Sequence, residues 1–89
     1  MRLKIDTSDN RRTVVGLDES KLIKAYELPS QQDVLGTIDE LLRREKKSLK
    51  DITEIEVNLG PGAFTSLRVG ISVANALGWA LKIPVLDKP

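Results

Sequence analysis

The chain has 89 residues, room for one domain, with 14 basic and 13 acidic residues and a net charge of +1. It contains no cysteine and no histidine, which excludes disulfides, thiolate sites and every Ser-His or Cys-His pair. Aromatics are 3% of the chain and no basic stripe stands out, so neither a base-stacking platform nor a direct nucleic-acid surface is expected. A chain this short buries a modest share of its surface, and sharing a core with a partner or a second copy would help it. The start, Met1 to Asp6, lacks the apolar run of a signal peptide. The most apolar stretch, Val69 to Leu81, falls short of the ~20 residues a bilayer requires and is interrupted by Asn75. A soluble cytoplasmic protein with no membrane association is the expectation.

In chain order, Leu3, Ile5 and Thr7 alternate with charged residues and predict a half-buried strand. Asp9-Asn10 marks a turn, with Arg11 and Arg12 at its solvated rim. Thr13 to Leu17 predicts a second strand and Leu22 to Leu28 a third, joined through Asp18-Glu19-Ser20 in an antiparallel meander. Pro29 stops the third strand. Ser30 is the expected cap of a helix starting near Gln31, with Asp33 in its first turn. Val34, Leu35, Ile38, Leu41 and Leu42 form its apolar stripe, and Arg43, Arg44, Lys46 and Lys47 suit its carboxyl end. Glu54 to Leu59 predicts a fourth strand with Ile55, Val57 and Leu59 on one face. Gly60-Pro61-Gly62 turns sharply into a second helix from Phe64 to Lys82, with Thr65 as a candidate cap. Pro84 ends that helix, and Val85-Leu86 predicts a last short strand.

The second helix is apolar almost all round. Leu67, Ile71, Ala74 and Leu77 lie on one side, and Val69, Val73, Ala76 and Ala80 on another. A sheet covers only one side, so part of this helix is expected to face another chain. Gly70, Ala74 and Gly78 recur every fourth residue as a small-residue stripe that permits close helix approach. The expected interface is therefore Val34, Leu35, Ile38 and Leu42 on the first helix with Leu67, Gly70, Ile71, Ala74, Leu77 and Gly78 on the second. The competing reading packs the stripe on the chain's own sheet or first helix.

Two segments could hold a phosphate. The turn Gly60-Pro61-Gly62-Ala63-Phe64-Thr65 leads from a strand into a helix and can present N–H groups to an anion, although it matches neither a P-loop nor a dinucleotide fingerprint. Asp6-Thr7-Ser8 could orient a metal-bound phosphate or form an Asx-type turn.

Gly60-Pro61-Gly62-Ala63-Phe64-Thr65-Ser66-Leu67-Arg68-Val69-Gly70 resembles the signature Gly-Pro-Gly-Ser-Phe-Thr-Gly-Leu-Arg-Ile-Gly of the TsaB family, formerly YeaZ, and Ile5-Asp6-Thr7-Ser8 resembles its first-strand Ile-Asp-Thr-Ser. Ala63, Ser66 and Gln31-Gln32 depart from the usual serine, glycine and His-Ser. The resemblance implies an α/β fold: a single actin-like (ASKHA, ribonuclease H-like) lobe spanning residues 1–89, with a three-strand antiparallel meander, parallel strands and two main helices. It also implies a non-catalytic scaffold subunit of tRNA threonylcarbamoyladenosine biosynthesis. Such a subunit pairs with TsaD through a helical bundle, meets TsaE through the complex, forms a homodimer when alone and reaches tRNA only indirectly. Actin-like ATPases bind nucleotide between two lobes, and the family normally has both, so one lobe implies no intact ATPase site, no cofactor and no metal. Asp6, Thr7, Ser8, Gly60 and Gly62 would then be a vestigial phosphate site. A remnant actin-like ATP-binding enzyme, a protease of the kind once suggested for relatives, and a homodimeric domain with no TsaD role are the alternatives.

Overall fold

Leu3 and Ile5 alternate with Arg2, Lys4 and Asp6, so the strand they form can bury one face and keep the other polar. In the computed structural model, which describes residues 1–88, this is β1 (Arg2–Asp6) at the centre of a five-stranded sheet. β2 (Arg12–Leu17) runs antiparallel to it, with Leu3 opposite Leu17 and Ile5 opposite Val15, and β3 (Ser20–Ala25) continues the meander. β4 (Glu54–Asn58) pairs in parallel on the other side of β1, and β5 (Val85–Lys88) in parallel with β4, giving the order β3-β2-β1-β4-β5. The parallel pairs are reached through two helices, α1 (Val34–Arg44) and α2 (Phe64–Leu81). The expected meander, parallel strands and two helices are all present.

Several boundaries differ from expectation, Ser20 joining the third strand rather than the turn before it among them, and three have a clear local reason. The third strand stops at Ala25 rather than Leu28. The Gln31 side-chain oxygen accepts from the N–H groups of Glu27 and Leu28, at 3.1 and 3.0 Å, which holds them in a turn. The first helix begins at Val34, because the cap is Asp33 and not Ser30. The Asp33 carboxylate accepts from the Gly36 N–H at 2.9 Å, while Ser30 lies in the 3-10 turn Pro29–Gln31. The fourth strand ends at Asn58, whose side-chain oxygen accepts from the Gly60 N–H at 2.9 Å, so Leu59 turns outward and is exposed rather than joining Ile55 and Val57. α2 carries no side-chain cap: its N-cap is Ala63, not Thr65. At its other end Lys82 adopts the left-handed conformation, and Ile83 donates to the Gly78 carbonyl at 3.0 Å.

Both helices pack on one face of the sheet. Leu3, Ile5, Val15, Ile55 and Val57 meet Ile38, Leu41 and Leu42 of α1 and Ala74 of α2 in one buried cluster. This corrects the expected interface. Val34, Ile38, Leu42, Leu67, Gly70, Ala74 and Gly78 are buried within the chain itself, Ile71 and Leu77 are half-buried against the core, and only Leu35 stands exposed, at 56%. The physical reason is the closeness of α2 to the sheet. A Cβ at Gly70 would lie 2.3 Å from the Thr7 hydroxyl oxygen, and one at Gly78 would lie 2.4 Å from Cγ2 of Val85. The small-residue stripe answers to the chain's own strands. Among the described residues, no helix is long and apolar enough to cross a membrane.

Candidate functional site

The first candidate region lies where β1 ends and α2 begins. Asp6 accepts from the Ser8 N–H at 2.9 Å and from the Asn58 side-chain amide at 3.1 Å. Partial burial pushes its carboxyl pKa up, but the Ser8 and Asn58 hydrogen bonds outweigh that and hold it below the ordinary carboxylate range. Asn58 also binds the Gly60 N–H, so one side chain ties the aspartate to the glycine turn. The turn itself is pressed onto Ser8. Ala63 donates to the Ser8 carbonyl at 2.8 Å, and a Cβ at Gly62 would sit 2.5 Å from that same oxygen. Gly60 has φ +124°, which side chains rarely adopt, and its peptide with Pro61 is cis.

The structure therefore brings Asp6, Ser8, Gly60 and Gly62 together. Thr7 points the other way, fully buried against Gly70 on the helix side of the sheet, and its hydroxyl has no hydrogen-bond partner. Asp6, Ser8, Asp9, Arg12 and Ala63 line an open depression of about 530 Å³. Asp9 accepts from the Arg11 N–H at 2.8 Å and pairs with Arg12 at 3.1 Å. These contacts, the Arg11 N–H first, outweigh desolvation and lower its carboxyl pKa. Chemically, the rim offers two ionised carboxylates and one already paired guanidinium. The N–H groups of Gly60 and Ala63 are spent on the chain itself. This is the Asx-type turn of the two readings given for Asp6. Among the described residues, no group of three or more His, Cys, Asp or Glu side chains is placed to hold a metal ion.

The second region is the outward side of α2. Phe64, Arg68, Val69, Ser72, Ala76 and Trp79 follow one another at helical spacing and all are exposed, Phe64 at 73% and Trp79 at 85%. The Arg68 guanidinium lies 5.8 Å from the centre of the Phe64 ring, within cation–π range. Between the two aromatics, which at 1.5 Å per residue stand about 22 Å apart along the helix, the side chains are small or aliphatic apart from Arg68 and Asn75. The all-round apolar composition of α2 is thus real, with one side spent on the sheet and the other uncovered. The small-residue stripe singled out in the sequence is the side that meets the sheet. Sequence reasoning missed Phe64 and Trp79, although their size on an unpaired helix face was a readable signal.

A family model described as "TsaD: tRNA N6-adenosine threonylcarbamoyltransferase" matches residues 29–87, a range that includes both helices. The chain belongs to the TsaD family, on its TsaB (YeaZ) side. It is 32% identical over 87 residues to the tRNA threonylcarbamoyladenosine biosynthesis protein TsaB of Bacillus subtilis (strain 168), covering 93% of this chain and 38% of that protein. It is 30% identical over 87 residues to the protein of the same name from Escherichia coli (strain K12), covering 94% of this chain and 38% of that one. Among solved structures, YeaZ from Pseudomonas aeruginosa superposes with a TM-score of 0.80 at 33% identity, over 98% of this chain and 42% of that chain. The TsaB-like chain thus spans about two fifths of the length of these relatives. The likeness to YeaZ makes its mixed sheet and two helices an actin-like α/β fold.

Proposed function

We propose that this chain is a non-catalytic scaffold subunit in tRNA threonylcarbamoyladenosine biosynthesis, which pairs with a TsaD-type protein through its two helices. The observation that carries the reading is the uncovered side of α2, bounded by Phe64 and Trp79. Large aromatics that the chain's own core leaves in water are the residues that most often anchor a protein interface. Relatives named for tRNA threonylcarbamoyladenosine biosynthesis supply the process. The TsaD model's match over both helices supports a partner built on the same helix pair, and a pseudo-symmetric bundle follows if the two proteins present these helices to each other. TsaE joins through that complex, tRNA contacts the chain only indirectly, and without TsaD the same face makes a homodimer.

A non-catalytic role agrees with the region around Asp6. Its carboxylate is engaged by Ser8 and Asn58, and two N–H groups of the turn, those of Gly60 and Ala63, by Asn58 and Ser8 in return, which holds the turn in place. Asp6, Thr7, Ser8, Gly60 and Gly62 are a vestige in this reading, with no cofactor. The test is co-purification of this chain with the TsaD protein of the same organism, followed by mass measurement in solution. A stable mixed complex that Trp79→Asp abolishes is the expected result. A homodimer that ignores TsaD would replace this reading with the self-associating domain, and ATP turnover lost on Asp6→Ala would restore an enzyme.

A further inference from the structure

A chain of polar side chains, running beside the apolar core, joins the entrance of α1, the first turn of α2, β2, the turn after β1 and Tyr26 after β3. The Gln32 amide nitrogen donates to the Ser66 hydroxyl at 3.1 Å and reaches Thr13 Oγ1 at 3.5 Å. Thr13 Oγ1 lies 3.4 Å from the Tyr26 hydroxyl, and the Ser66 hydroxyl donates to the Asp9 carbonyl at 3.4 Å. Gln32 precedes the Asp33 cap of α1, Ser66 is in the first turn of α2, Thr13 is on β2, and Asp9 is in the turn after β1. Thr13 is fully buried and Ser66 is 5% exposed, so neither hydroxyl has water as a ready alternative. Buried polar contacts of this kind specify one arrangement, because breaking any member strands the others.

The position of the chain matters more than its strength. α1 has a side-chain cap and α2 has none, so the first turn of α2 lacks the usual local support. Among the described residues, Ser66 is the residue of that turn whose side chain hydrogen-bonds outside its own helix and loop. We propose that Gln32 and Ser66 form a clasp that fixes the amino-terminal end of α2 to the entrance of α1, so that the two helix starts open and close as one unit. Gln32 is here a positioning residue: it acts through Ser66 on the turn that carries Phe64. This coupling stands whether or not the helix pair binds a partner.

The experiment is native-state hydrogen exchange on the whole chain, for the unsubstituted protein, Ser66→Ala, Gln32→Ala and the double variant, together with denaturant unfolding of all four. Ser66→Ala removes only the hydroxyl and raises helix propensity, so any loosening it causes is not a propensity effect. Each single change is expected to speed exchange at the first hydrogen-bonded amides of both helices, Gly36 and Thr37 of α1 and Leu67 of α2, and the double variant to exchange no faster than the faster single. The unfolding constants are expected to be non-multiplicative by at least about twofold. Gln32→Asn, which keeps the amide but shortens its reach, is expected to behave as Gln32→Ala. Should either alanine variant prove too unstable for exchange, the comparison of Gln32→Asn with the unsubstituted chain decides: faster exchange at Leu67 of α2 with the central strand amides unchanged supports the clasp, and an equal change at both overturns it. Exchange confined to the helix nearest each substitution, with multiplicative unfolding constants, would overturn the proposal.

Discussion

The two sides of α2 are built from the same helix and similar apolar content, yet they do different things. The inner side is made of Gly70, Ala74 and Gly78, and a side chain added at Gly70 or Gly78 would collide with Thr7, just after β1, or with Val85 of β5. The outer side ends in Phe64 and Trp79, which are large and touch little of the chain. Smallness on a helix face therefore reports a close neighbour without saying whose, and here the neighbour is the chain's own sheet. Size left in water on the other side is the feature on which the proposed interface rests.

Substitutions on the two sides should separate cleanly. Gly70→Leu is expected to have the largest effect, a loss of about 3 kcal/mol or more of stability by denaturant unfolding, because the added side chain meets the buried Thr7 hydroxyl. Gly70→Ala should cost less, and Thr7→Ala should suppress part of that cost, a coupling a double-mutant cycle would read. Trp79→Ala and Phe64→Ala should leave stability within about 0.5 kcal/mol while weakening the proposed complex roughly 10- to 100-fold, measured by titration calorimetry. If both sides changed stability alike, the division between them would collapse.

The region of Asp6 gives a smaller, pH-dependent effect. Its folded-state pKa is lowered, so the stability it contributes is fully present above the ordinary carboxylate value of about 3.9 and disappears as pH falls through the depressed folded value. Asp6→Asn should flatten that part of the acid limb of a stability-versus-pH curve, leaving the parts due to Asp9, Glu40 and Asp51, whose pKa values are also lowered. The smallest effect is expected from Arg43→Glu. Arg43 forms an exposed pair with Asp39 at 2.8 Å, one turn away, and its reversal should change association by no more than a few-fold.

Much of this was readable in the residues alone. Period-two alternation at Leu3, Ile5, Val15, Ile55 and Val57 determined the strands and their buried face, and the spacing of Val34, Ile38, Leu41 and Leu42 determined α1, because burial of a repeating stripe is a local property of the chain. The glycine turn was legible too, since Gly60 needs a backbone conformation that other residues resist. Side-chain hydrogen bonds moved the element ends by a few residues: Gln31 closed β3 early, Asp33 displaced Ser30 as the cap, and Asn58 turned Leu59 outward. Those partners are near in sequence, but several polar residues competed for each role and pattern alone does not rank them. What only the tertiary structure decided was which side of α2 meets the sheet. A helix apolar all round has no intrinsic inward face, and the choice fell to β1 and β5, strands far apart in sequence whose spacing admits glycine and alanine and turns the aromatics away.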